Sequence, residues 1–126
     1  DRMTGALTLR ALRMAIRQRR PSPGLIHHSD QGSQYTDRDY QAVLAAHGIQ
    51  ASMNGVGTWY DNAPMESFFA TLKKELLREA DFATRHDARA ALFDYIEGFY
   101  NTRRLHSALG HLAPAQFEAR AVWHNP

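Results

Sequence analysis

The sequence predicts an α/β fold that is rich in helix. Apolar residues recur at helical spacing in four segments, near 4–19, 36–47, 64–79 and 85–102. Two short apolar runs, Leu25–His28 and Ile49–Met53, bracket the second helical segment and read as strands. Strand, helix, strand in that order implies a right-handed parallel unit.

The first helix is predicted over 4–19. Leu9, Leu12 and Ile16 form its apolar row, Arg10, Arg13 and Arg17 lie elsewhere, and Thr4 stands at the N-cap position. Pro21 and Pro23 stop it, because proline lacks an N–H and restricts the residue before it. The run from Leu25 follows Gly24 and precedes the polar Ser29-Asp30-Gln31-Gly32, which favours strand over helix. Asp30 then lies just past a strand's carboxyl end, where sites collect in open α/β sheets.

Thr36–His47 is predicted as the second helix, with Tyr40, Val43, Leu44 and His47 as its stripe and Gly48 as its C′ residue. A loop is expected over Asn54–Asp61. Its Trp59 and Tyr60 either cover the core or stack on an unpaired base. The third helix is expected from about Pro64 to Glu79, with Met65, Phe68, Phe69, Leu72 and Leu76 on its apolar side. Thr84-Arg85-His86-Asp87 resembles a capping box opening a fourth helix to about Thr102, whose face is Ala88, Leu92, Tyr95, Ile96 and Phe99. Pro114 opens a short last helix containing Phe117. No repeat or low-complexity segment is present.

Composition narrows the classes of function. At 126 residues and 44% apolar content the chain is at most one soluble-type domain. It has no cysteine, hence neither disulfides nor thiolate metal sites. No histidine pair has zinc-protease spacing. No apolar run nears the ~20 residues of a membrane span, so no membrane partner is expected, and a bacterial cytoplasm is the expected location. The net charge of +2 is small, but 13 of the 15 basic residues are arginine, and six lie within residues 1–20. Arginine suits bidentate phosphate contact. A solvated helix face accounts for the same cluster.

Two carboxylates draw the chemistry together. Asp30 and Glu66 have 35 residues between them, and Lys73 follows Glu66 by almost two helical turns, on the same predicted face. Phosphodiester chemistry needs a strong oxygen nucleophile and relief of charge on the leaving oxygen. Two Mg²⁺ ions about 3.5–4 Å apart can serve both, and Mg²⁺ prefers carboxylate oxygens. Glu66 has a second reading, since a glutamate in a first turn often caps the helix or favours its positive end. Arg103, Arg104 and His106 either bind phosphate or complement a helix C-terminus. Asn62 either orients the start of the third helix or touches DNA.

The wording of these segments is more specific than their spacing. His27 and Ser29-Asp30-Gln31-Gly32-Ser33-Gln34-Tyr35, then Tyr60-Asp61-Asn62-Ala63, Met65-Glu66-Ser67-Phe68-Phe69 and Lys73, closely resemble the integrase-like (DDE) transposases of bacterial insertion sequences. So do Phe99-Tyr100-Asn101, Arg103-Arg104, His106-Ser107-Ala108-Leu109-Gly110 and Pro114. The resemblance covers nearly the whole chain. It implies a ribonuclease-H-like, integrase-catalytic-core fold, with about 1–80 as core and about 81–126 as a helical C-terminal extension.

The resemblance also implies an Asp-Asp-Glu triad holding Mg²⁺ or Mn²⁺, in which Asp30 matches the second Asp and Glu66 the Glu. Lys73 matches the basic residue that contacts DNA near the cleaved end. The implied reaction is 3′-end hydrolysis at the element terminus followed by strand transfer, with element ends and target DNA as partners. The family's first Asp has no counterpart here, because Asp1 matches the segment before the first helix. The expected chain therefore lacks the N-terminal strands, is inactive alone and has a two-ion site only within the complete domain. A two-stranded sheet with a free edge invites self-association. The alternatives are a non-catalytic DNA-binding fragment and a ribonuclease-H-like nuclease without transposition.

Overall fold

In a computed structural model, residues 4–55 and 62–122 are described. Helix α1 spans Gly5–Arg19. Strand β1 is Ile26–Ser29 and strand β2 is Gln50–Met53. Between them lie α2, Ser33–Thr36, and α3, Arg38–Ala46. Then come α4, Ala63–Leu72, α5, Arg85–Tyr95, and α6, Pro114–Val122. The chain divides into two compact units, Asp1–Ser67 and Phe68–Pro126.

In the first unit β1 and β2 pair in parallel, with Ile26 opposite Gln50 and Ser29 opposite Met53. Among the described residues these two strands are the whole sheet. The core forms where α1 and α3 bury Leu12, Ile16, Tyr40 and Leu44 together with Ile49. Leu44 is the most enclosed of these at 1% exposure. Gly48 has φ +66 and closes tightly, since a Cβ there would meet Pro23 at 2.9 Å. The backbone N–H of Gly24 in turn donates to the Gly48 carbonyl at 2.8 Å. An apolar groove between α1 and β1 is lined by Leu12, Ile16, Pro21, Leu25, Ile26 and Ile49. Leu25 and Ile26 stay largely exposed.

Several expected boundaries move. The expected helix over Thr36–His47 forms as α3, but it starts at Arg38, because the Asp37 side chain accepts from the N–H groups of Asp39 and Tyr40 and caps it there; the short α2 before it was not expected. His47 is not part of the buried stripe; it ends α3 with its ring 2.9 Å from the Val43 carbonyl. Thr4 stands at the N-cap of α1, but its side chain makes no capping bond. Both strands start one residue later than predicted. The helix α1 ends at Arg19 because Arg20 turns left-handed at φ 45 and its N–H closes on the Ile16 carbonyl.

The expected helix from Pro64 to Glu79 begins instead at Ala63, and its α-helical part ends at Leu72. A π-helical turn, Lys73–Leu77, follows. Leu72 is buried, but Met65 and Phe69 are half exposed rather than packed. The Thr84–Asp87 capping box forms as read, with each residue's side chain bonded to the other's backbone N–H. The expected helix to Thr102 is α5 followed by a second π-helical turn, Ile96–Tyr100, sealed by the Asn101 N–H on the Ile96 carbonyl at 2.9 Å. No helix of the described residues is long and apolar enough to cross a membrane.

Leu44→Ala should destabilise the first unit by about 2–5 kcal/mol, because the cavity is fully enclosed. Asp37→Ala should cost about 1 kcal/mol through loss of the cap. Urea denaturation of the two variants checks the ranking.

Candidate functional site

Asp30 follows the last residue of β1, as its sequence context requires. The β1 backbone is committed to β2, and the chain turns sharply straight after it. One Asp30 oxygen, Oδ1, accepts the Gly32 N–H at 2.8 Å. A side chain at Gly32 would stand 2.9 Å from that oxygen and 2.8 Å from the Gln34 amide. Both contacts are side-chain tips, so a larger residue here would have to displace the Asp30 carboxylate or the Gln34 amide, and the Gly32 bond leaves Oδ2 free of partners among the described residues.

A polar network fixes the strand ends beside Asp30. The His28 ring lies 3.0 Å from Ser52 Oγ through Nδ1 and bonds Asn54 Oδ1 through Nε2. The Gln31 amide donates to the Asn54 carbonyl at 2.8 Å, and the Asn54 N–H donates to the Ser29 carbonyl at 3.1 Å. Asn54 and Ser29 are both buried. The other histidine, His27, faces the helices. Its Nε2 is 3.0 Å from Tyr40 Oη, and its ring meets Tyr40 edge-on. Burial, then the nearby Tyr35, pushes the Tyr40 phenol above its ordinary range.

Glu66 lies in the first turn of α4 and is exposed. Its carboxylate has no hydrogen bond or ion pair with any described residue, and its place in the first turn sets it near the positive end of the helix. Asn62 is half-buried immediately before α4. Lys73 is exposed and opens the first π-helical turn. Trp59, Tyr60 and Asp61 lie outside the described residues.

The second unit gives Arg103, Arg104 and His106 distinct surroundings. Arg104 donates through Nε and Nη2 to Glu75 at 2.8–3.1 Å. Tyr95 Oη donates to the same carboxylate at 2.6 Å. Bonds from Arg104 and then Tyr95 hold Glu75 below the usual carboxylate range. Burial, followed by the bond to Glu75, pushes the Tyr95 phenol up to about 12. Arg103 donates to the Gly98 carbonyl at 3.0 Å and lies over the Phe99 ring. His106 packs edge-on against Tyr100, which itself meets Phe68, and its Nε2 is buried without a partner among the described residues.

Sequence reasoning missed Glu75 and Tyr95, because Glu75 and Arg104 are 29 positions apart and no local pattern links them. It also missed Asn54, whose only mark was its place after a strand.

The donor chemistry fits a hard divalent cation in part. Asp30 and Glu66 are exposed carboxylates, and among the described residues Asp30 Oδ2 and both Glu66 oxygens have no partner. Among the described residues no three His, Asp or Glu side chains gather as a metal-binding group. The set is therefore partial.

Comparison with known proteins defines the class. Two family models described as Integrase core domain match residues 1–58 and 66–122. A chain of the simian T-cell lymphotropic virus intasome, solved in complex with PP2A regulatory subunit B56 gamma, superposes with a TM-score of 0.69. That match covers 99% of this chain and 42% of the other at 18% identity, and it bears on fold alone. The fold is that of an integrase catalytic core, which is ribonuclease-H-like.

The chain belongs to the integrase core family of insertion-sequence transposases. It is 50% identical over 95% of its length to the insertion element IS600 uncharacterized 31 kDa protein of Shigella sonnei, covering 44% of that protein. It is 49% identical to the transposase for insertion sequence element IS904 of Lactococcus lactis, over 94% of this chain and 47% of that one. It is 46% identical to transposase InsF for insertion sequence IS3A of Escherichia coli, over 93% and 41%. The chain thus spans less than half the length of these relatives.

The Glu75–Arg104–Tyr95 cluster makes stability depend on pH at both ends. Glu75 is depressed, so its contribution is present above the ordinary 4.5 and fades as pH falls through the folded value. Tyr95 is raised, so its contribution is intact below 10.0 and fades as pH climbs toward about 12. Thermal melting followed against pH should show both limbs. Glu75→Gln should flatten the acid limb, and Tyr95→Phe the alkaline one.

Proposed function

We propose that this chain supplies part of the catalytic core of an insertion-sequence transposase, with Asp30 and Glu66 as two carboxylates of its Asp-Asp-Glu triad. The Oδ2 of Asp30, held beside a strand end and without a partner among the described residues, is the observation that carries this reading. The reaction is 3′-end cleavage of the element and strand transfer into a target. Asp30 and Glu66 would hold Mg²⁺ or Mn²⁺, which when bound activates the attacking oxygen and neutralises charge on the leaving one. The protein's own part is to fix Asp30 through Gly32 N–H and the His28–Asn54–Gln31 network. Lys73 and Asn62 flank Glu66 in sequence and are assigned to DNA near the cleaved end. Arg103 and His106 are assigned to DNA contact. Arg104 is assigned there too, with Glu75 setting its geometry.

Residues 1–80 are assigned to the core and 81–126 to its C-terminal extension. DNA is the partner. Self-association is supported by the exposed Leu25 and Ile26 beside a two-stranded sheet. The partial donor set supports a second reading for the chain acting alone, as a DNA-binding piece without turnover.

The test replaces the matching segment of transposase InsF with residues 1–126. The chimera should cleave and join IS3-end oligonucleotides only with Mg²⁺ or Mn²⁺. Asp30→Asn and Glu66→Gln should each reduce turnover by at least about 10³-fold while leaving DNA binding in place. The 126-residue chain alone should show no strand transfer. Undiminished turnover in either variant would sink the assignment.

A further inference from the structure

The outer face of α1 has no part in the site just described. Arg10, Arg13 and Arg17 are all exposed there. At 100° per residue they fall within an arc of about 60°, and the row lies about 110° round the helix from the buried Leu12 and Ile16. Core packing therefore fixes the helix while leaving this row in solvent. Gly5–Arg19 contains no Asp or Glu, so no carboxylate on the helix answers these charges. None of the three forms an ion pair or hydrogen bond through its side chain with any described residue. A solvated helix face usually mixes charge signs, and this one does not.

The spacing has a chemical counterpart. From Arg10 to Arg17 the helix rises about 10 Å. One strand of duplex DNA presents a phosphate about every 3.4 Å of axis, so a segment of this length offers about three. Guanidinium groups bind phosphate oxygens bidentately and remain charged at any working pH.

We propose that the arginine row of α1 is a binding surface for the phosphate backbone of duplex DNA, independent of sequence and of metal. This rests on DNA being the substrate, as argued above, but requires neither Asp30 nor Glu66. The row would hold the duplex by charge and leave base reading to other parts of the protein.

The experiment is fluorescence anisotropy of the 126-residue chain on a random-sequence duplex in EDTA, across a salt series. Neutralising all three residues, as Arg10→Gln, Arg13→Gln and Arg17→Gln together, should weaken binding at least tenfold. It should also lower the slope of log affinity against log salt by about 2–3. The matching Arg→Lys triple should keep most of the slope. An equal-charge control, Arg38→Gln with Arg78→Gln and Arg89→Gln, should change the slope by less than about 1. Circular dichroism verifies that each variant is folded.

An equal fall in the control would mean that net charge alone binds, and overturns the proposal. Equal losses on single-stranded DNA and on heparin would make the row a general polyanion face, and overturn the duplex assignment. An unchanged slope in the Arg→Gln triple overturns the proposal and leaves the catalytic reading intact. Failure of the unaltered chain to bind any DNA overturns both the row and DNA as a partner of this segment.

Discussion

Parallel pairing of β1 with β2 is the constraint from which the first unit follows. Two adjacent strands that run the same way cannot be joined by a tight turn. The chain must leave the sheet, cross it and return, and α2 and α3 make that crossing. The crossing helix then needs an apolar face, and Tyr40 and Leu44 meet Leu12 and Ile16 of α1 to provide it. The same pairing sets Ser29 opposite Met53, so both strands end at one level. Asp30 emerges there, just past the ladder, with its carboxylate oriented by the Gly32 N–H.

Polar groups at that level tie the two strand ends together. His28, Ser52, Asn54 and Gln31 bond one another across the two strand ends. Buried side chains such as Asn54 are costly unless satisfied, and this one is bonded through both its side chain and its carbonyl. The network restrains a short segment that hydrophobic packing alone would leave loose. In the second unit a comparable role falls to Glu75, which gathers Tyr95 and Arg104, while Phe68, Tyr100 and His106 form the aromatic part of the packing.

Much of this was legible in the sequence, for identifiable reasons. The α1 and α3 stripes, the two strands, the Thr84–Asp87 cap and the position of Asp30 all depend on neighbours within a few residues. Asp37 was legible in principle as the cap of α3, but the apolar spacing was read from Thr36, and the four-residue α2 before it has too few residues to show a periodicity. The π-helical turns were not legible, because an i→i−5 bond leaves no mark on apolar periodicity. Nor was the Arg104–Glu75 pair, which joins distant segments. The chemical assignment of Asp30 and Glu66 came from the wording of their motifs rather than from periodicity, and two carboxylates at this spacing would have carried little alone.

The π-helical turn at Ile96–Tyr100 holds one residue more than an α-helix would need over the same path. Each such surplus residue swings every later side chain about 100° around the axis. Tyr100 sits at the end of that turn and carries the ring contacts to Phe68 and His106. A single-residue deletion within it would restore an ordinary helix and aim Tyr100 elsewhere.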